Sequence, residues 1–268
     1  VLNEGTGNAV AYSVFIAGND VYVSGSESNL SSGTLAAQAK IWKNGIGNIL
    51  NGNNANSVFI LGNDVYASGS NFNGTIEAGT IIKGQTGEGS LAAALVIAKG
   101  GIIMAEGTAM EPIIFTSIED NIQPGMISGS NLTSSDKGKW GGLIILGDAP
   151  VSVSGTDTKG QVEGVPADIA NTIYGGNNTM DNSGVLTYVS LRHCGALLGG
   201  ASAGNEINSL SLYSVGSGTK IEHIEVVAAG DDEIEYFGGT VNVKYVSSFF
   251  GDDDKFDYDL GYKGKAQF

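Results

Sequence analysis

Near the end of the chain, Val226-Val227-Ala228-Ala229-Gly230-Asp231-Asp232 and Ser247-Ser248-Phe249-Phe250-Gly251-Asp252-Asp253 close on the same Gly-Asp-Asp, 21 residues apart. That distance is close to one turn of a parallel β-coil, where each rung supplies short strands and leaves its apolar side for the next rung to cover. Tyr188-Val189, His223-Ile224 and Tyr245-Val246 fall at equivalent points before Gly195, Gly230 and Gly251, with an insertion before the second. The spacing predicts stacked rungs, with Asp231 over Asp252 and Asp232 over Asp253.

The pattern extends upstream. From about Thr75, short apolar segments are cut by glycine: Thr80-Ile81-Ile82, Leu95-Val96-Ile97, Ile102-Ile103-Met104, Pro112-Ile113-Ile114-Phe115 and Leu143-Ile144-Ile145-Leu146. Leu91–Lys99 is rich in alanine, but it spans little more than two helical turns between glycines, so a strand is favoured there too. The 42 glycines against 4 prolines mark many tight turns. With 41% hydrophobic and 15% charged residues the chain has the means to fold. Its only cysteine, Cys194, excludes an internal disulfide.

A second repeat lies at the other end. Ser13 to Ser26 returns as Ser57 to Ser70, identical at 12 of 14 positions with a spacing of 44. Each copy reads as a strand, a Gly-Asn-Asp turn and a second strand with Val and Tyr alternating, which is a β-hairpin. A period of that length suits a blade of four short strands, although two copies cannot close a propeller. The chain is therefore read as residues 1–74, a β-repeat region of propeller-blade type, followed by residues 75–268, an all-β right-handed parallel β-helix.

The runs Thr75-Ile76-Glu77-Ala78-Gly79-Thr80, Met104-Ala105-Glu106-Gly107-Thr108, Trp140-Gly141-Gly142-Leu143-Ile144-Ile145-Leu146-Gly147, Asn205-Glu206-Ile207-Asn208 and Phe237-Gly238-Gly239-Thr240-Val241-Asn242 resemble a family of surface-exposed parallel β-helix proteins of Bacteroidota. The resemblance covers roughly residues 75 to 268. It implies export, as a lipoprotein or through the type IX secretion route, and brings no catalytic residues with it. The 44-residue repeats are similar to tandem repeats of other surface proteins of these bacteria.

Chemistry concentrates in acids. The formal net charge of −15 argues against nucleic acid as a partner and favours a cation. Nine of the 28 acids fall between Asp231 and Asp259. Stacked rungs would bring like charges to roughly 4.8 Å, which hard oxygen-liganded Ca²⁺ would relieve. Asp231, Asp232, Asp252 and Asp253 are the expected calcium ligands; the competing reading is a solvated acidic edge offset by Lys244 and Lys255.

Other residues offer less. Arg192, the only arginine, would project outward from a strand that turns Val189 and Leu191 inward, as the base of a polysaccharide lyase or as a surface ion-pair partner. Adjacent His193 and Cys194 point to opposite faces of a strand and cannot act as a base and its nucleophile. His223 is expected in a ring ladder with Tyr188 and Tyr245. Trp42, Tyr22, Tyr66 and Trp140 could bind sugars but more simply pack, and Gly199-Gly200 lacks the remainder of a phosphate loop.

The longest apolar run, Leu91–Ala98, is far short of the roughly 20 residues of a transmembrane helix. The opening Val1 reads as a processed or trimmed sequence. The expected role is an extracellular or outer-surface structural or adhesive protein, non-enzymatic and calcium-stabilised, with a larger surface assembly or self-association at an open rung as its partners. The rival is a carbohydrate-active β-helix enzyme, a lyase or hydrolase acting on a glycan.

Overall fold

A computed structural model divides the chain into two compact units, Val1–Gly74 and Thr75–Phe268. It describes the first as backbone strands between residues 8 and 74, and the second in side-chain detail over 75–89, 92–153, 157–163, 165, 172–198 and 207–267.

In the first unit β1 (Asn8–Ala17), β2 (Asp20–Ser31), β3 (Thr34–Lys43) and β4 (Ile46–Ile49) form an antiparallel sheet in chain order. β5 (Ser57–Leu61) pairs with β6 (Asp64–Ser68). The two copies of the repeat adopt the same hairpin register: Phe15 faces Tyr22 and Ala17 faces Asp20, while Phe59 faces Tyr66 and Leu61 faces Asp64. The connecting Gly18-Asn19 and Gly62-Asn63, and the side chains of Tyr22, Trp42 and Tyr66, lie outside the described residues.

β7 (Asn73–Ile76) spans the junction. Beyond it the strands are β8 (Ile81–Gly84), β9 (Ala94–Ile97), β10 (Ile102–Glu106), β11 (Ile113–Ser117), β12 (Gly142–Leu146), β13 (Gly160–Gln161), β14 (Ile173–Tyr174), β15 (Gly184–Arg192), β16 (Leu210–Tyr213), β17 (Lys220–Val227), β18 (Ile234–Phe237), β19 (Asn242–Phe249), β20 (Asp257–Asp259) and β21 (Lys265–Gln267). They stack into two parallel ladders, β10-β15-β17-β19-β21 and β9-β12-β16-β18-β20, while β11 joins β8 to the second half of β15. This is the right-handed parallel β-helix that the spacing predicts. The segment weighed between helix and strand contains a strand, β9.

Inside the coil, side chains of one rung sit on those of the next. Leu186, Ile221 and Val243 share a register position, as do Leu143, Leu210 and Ile234; all six are fully buried. Burying each such side chain contributes about 1.5–3 kcal/mol.

The long strands are bent. Tyr188, His223 and Tyr245 have φ of 50°, 56° and 56°, and Ile221 and Ile224, three residues apart, are both buried. A strand that alternated strictly would turn one of that pair outward. The left-handed residue between them resets the alternation, so β15, β17 and β19 each cover two sides of the coil. A second corner carries His193, Ala228 and Phe250 at φ of 58°, 58° and 65°.

These corners correct the expected period. Ile224 faces Val246, Val227 faces Phe249 and Glu235 faces Asp257, each 22 residues apart rather than 21. Matching the two Gly-Asp-Asp triplets slips the alignment by one residue, because the ladder is fixed by the corner residues Ala228 and Phe250 and not by the turn composition after them.

A second apolar layer forms outside the β9-β12-β16-β18 ladder. Ile144, Leu146, Tyr213 and Phe237 point away from the coil and pack with Val151, Val162 and Tyr174 from the excursion that holds β13 and β14. Tyr213 and Phe237 stack at 3.9 Å and 3°.

Candidate functional site

The 22-residue register decides which acids meet. Asp253, not Asp252, comes to Asp231 and Asp232, with one carboxylate oxygen from each of the three within 4.8 Å of the others. Asp252 is turned aside and pairs with Lys137. Three of the four residues expected as ligands are thus brought together.

Asp232 also belongs to a second group, with Glu235 and Asp257, under the same 4.8 Å limit. Glu235 and Asp257 face each other in β18 and β20, so the ladder itself brings their carboxylates together. The Asp254 N–H donates to Asp232 Oδ1, and Asn208 Nδ2 donates to Glu235 Oε2.

Burial pushes the Asp232 carboxyl up to about 7, helped by the charges of Asp231, Asp257 and Asp253 and opposed by the Asp254 N–H. Burial, reinforced by Asp232 and Asp257, pushes Glu235 up to about 8. Neither shift could be read from the sequence, since both need the contact between rungs.

Glu233, between these groups in sequence, goes the other way. Its side chain is fully buried, and Lys255 Nζ meets Oε1 at 2.6 Å. Lys255 therefore neutralises part of the cluster, as the solvated-edge reading expected, while Lys244 lies 3.8 Å from Glu222 instead.

A separate groove of about 590 Å³ runs along the outer face of β15 and β17, closed over by residues 127–134 from the loop between β11 and β12. Tyr188, Ser190, Arg192, His223, Glu225 and Phe250 are among the residues that line it. The rings of Tyr188, His223 and Tyr245 form the expected ladder, at 4.3 Å and 4.6 Å.

Arg192 does face away from the core, and it is engaged. Nε donates to Ser190 Oγ at 2.7 Å, Nη1 to the Ile127 carbonyl at 2.6 Å and Nη2 to Glu225 Oε2 at 3.2 Å. The loop over the groove is held in turn by Asp120, which accepts from Thr116 Oγ1 and the Ile122 N–H, both at 2.9 Å.

The remaining candidates are structural. Cys194 is buried in the core, and burial pushes its thiol up. His193 Nδ1 donates to the Asp136 carbonyl at 2.5 Å. Trp140 is buried, with Nε1 donating to the Arg192 carbonyl at 2.8 Å. Gly199, Gly200, Asn205 and Glu206 lie outside the described residues.

Among the described residues no helix is long and apolar enough to cross a membrane. No curated protein and no solved structure matches the chain. Residues 53–268 match the family model described as a pectate-lyase-like β-helix domain, and the chain belongs to that family.

Proposed function

We propose that this chain is an extracellular or cell-surface adhesive protein of Bacteroidota type, whose β-helix holds a glycan in the groove over β15 and β17 without turning it over. Flat rings beside planar, hydrogen-bonding Arg192 and Glu225 are the mixture of apolar and polar surface that a sugar ring needs. Tyr245 and Phe249 on β19, Phe250 just after it and Tyr258 on β20 are about half exposed or more, which favours a place in a larger surface assembly.

The observation that carries the non-enzymatic reading is the engagement of Arg192. A lyase base must be free to reach a proton on the substrate, whereas this guanidinium is spent on Ser190, Glu225 and the Ile127 carbonyl. Hydrolysis needs two carboxyls beside the scissile bond. Of the two lining the groove, Asp120 is buried and locked by Thr116 and Ile122, which leaves Glu225 alone.

Titration calorimetry against neutral and uronate oligosaccharides tests the binding, with Phe250→Ala and Glu225→Gln expected to weaken it. Incubation with pectin and alginate tests the rival. A rise in ultraviolet absorbance from unsaturated uronate, abolished by Arg192→Ala, would establish a polysaccharide lyase in place of an adhesin.

A further inference from the structure

The corner where Asp232, Glu235 and Asp257 meet holds more than crowded acids. Asp232 is 8% exposed, and the other two are half-buried. Among the described residues no lysine or arginine forms an ion pair with any of the three; Lys255 is taken by Glu233 and Lys137 by Asp252.

Asn208 supplies an independent observation. It is 3% exposed, its amide reaches Glu235, and its Oδ1 is buried without a hydrogen-bond partner. An amide oxygen left in that state costs about 1–3 kcal/mol. Oxygen and nitrogen of an asparagine amide exchange places by a half-turn of the group. Turned that way, Oδ1 would face a carboxylate oxygen, an arrangement that becomes favourable when positive charge stands between them.

We propose that Asp232, Glu235 and Asp257, with Oδ1 of Asn208, form a Ca²⁺ site that fastens three successive rungs of the coil to one another. Asn208 precedes β16, Asp232 and Glu235 flank the start of β18, and Asp257 opens β20. The donor set is oxygen only, with three formal negative charges and neither His nor Cys, which selects a hard cation over zinc. Ca²⁺ accepts 6 to 8 oxygens in irregular geometry, so bidentate carboxylates and water complete the shell; Mg²⁺ demands a stricter octahedron. The site does not depend on the groove, and either could exist without the other.

The test uses the full chain, stripped with EDTA and titrated with calcium chloride in a calorimeter at slightly alkaline pH. Tb³⁺ luminescence, excited through the neighbouring Tyr236 and Tyr258, serves as a second readout. One saturable ion per chain is expected, weakened about tenfold or more by Glu235→Gln, Asp257→Asn or Asn208→Leu. Asp253→Asn, in the adjoining exposed group, is expected to change the affinity less than about twofold. Circular dichroism verifies the fold of each variant, and Asp257→Asn, on a short outer strand, serves if the others do not fold. Absence of saturable binding would show that the corner is occupied by protons alone. Equal losses in Asp253→Asn and Glu235→Gln would show a diffuse ion atmosphere. Either result overturns the site.

Discussion

Lys255 Nζ lies 2.6 Å from Oε1 of Glu233, a residue on the rung before it whose side chain is fully buried. The separation is one period of the coil, the same 22 residues that part Asp254 from Asp232, whose carboxylate accepts its N–H. Side chains as well as backbone therefore lock this pair of rungs. The other oxygen of Glu233, Oε2, has no partner, so Lys255 is its main compensation.

Lys255→Met should destabilise the second unit by about 2 kcal/mol, because it leaves a charge buried without its counter-ion. The half-exposed position of Lys255 keeps the loss at the low end of such effects. Glu233→Gln in the same background should recover most of it. Urea unfolding of the single and double variants measures both, and equal stability of wild type and Lys255→Met would show the pair to be energetically idle.

The stacked rings set a second expectation. His223 contacts rings on both sides and sits at φ 56°, where asparagine is tolerated and β-branched residues are not. Replacement by Asn or Ala should cost about 1–2 kcal/mol from the lost ring pairs. His223→Val should cost about 1–2 kcal/mol more for the left-handed backbone. The melting order expected is wild type, Asn, Ala, Val; a Val variant as stable as the Asn variant would mean that the corner relaxes.

Much of this coil is legible in the chain and some of it is not, for physical reasons. The ladder of Tyr188, His223 and Tyr245 could be placed because short apolar runs beside each ring fix the register locally. The inward Val189 and Leu191 and the outward Arg192 follow from strand alternation alone. The triplets after the second corner misled by one residue, since a glycine and two aspartates report a turn and not its depth in the ladder. Glu235 and Asp257 could not be chosen as partners without that register. The loop that covers the groove has no periodicity to read; its order comes from Asp120 and from the bonds of Asn121 and Asn131 to Ser130 and Glu119.

Two glycines separate backbone strain from steric exclusion. Gly184 opens β15 at φ 115°, and a Cβ there would stand 1.9 Å from the Ile103 carbonyl oxygen of the rung below. Gly100 has φ 82° with nothing within 4 Å of such a Cβ. Gly100→Ala should lose about 1–2 kcal/mol from conformation alone. Gly184→Ala must also break the contact between β10 and β15, and should unfold the coil or cost several times the stability that Gly100→Ala costs. Similar losses in the two variants would indicate that the rungs can separate at β10.

Acid and calcium should act on the same corner in opposite settings. Asp232 and Glu235 have folded-state carboxyls at about 7 and about 8, above their ordinary values of 3.8 and 4.5. Over the interval between, the folded chain holds more protons than the unfolded one, so metal-free stability falls as pH rises from about 4 to about 8. Glu235→Gln removes one of the two titrations and should flatten that slope, with a higher melting temperature than wild type in EDTA at the alkaline end. Calcium should restore the wild type there and leave Glu235→Gln nearly unmoved, because the cation replaces the protons that the carboxylates have released. Melting curves with EDTA and with calcium at the two ends of the interval measure all four states. A wild-type protein that gains stability with rising pH in EDTA would show that these carboxyls are not held out of water.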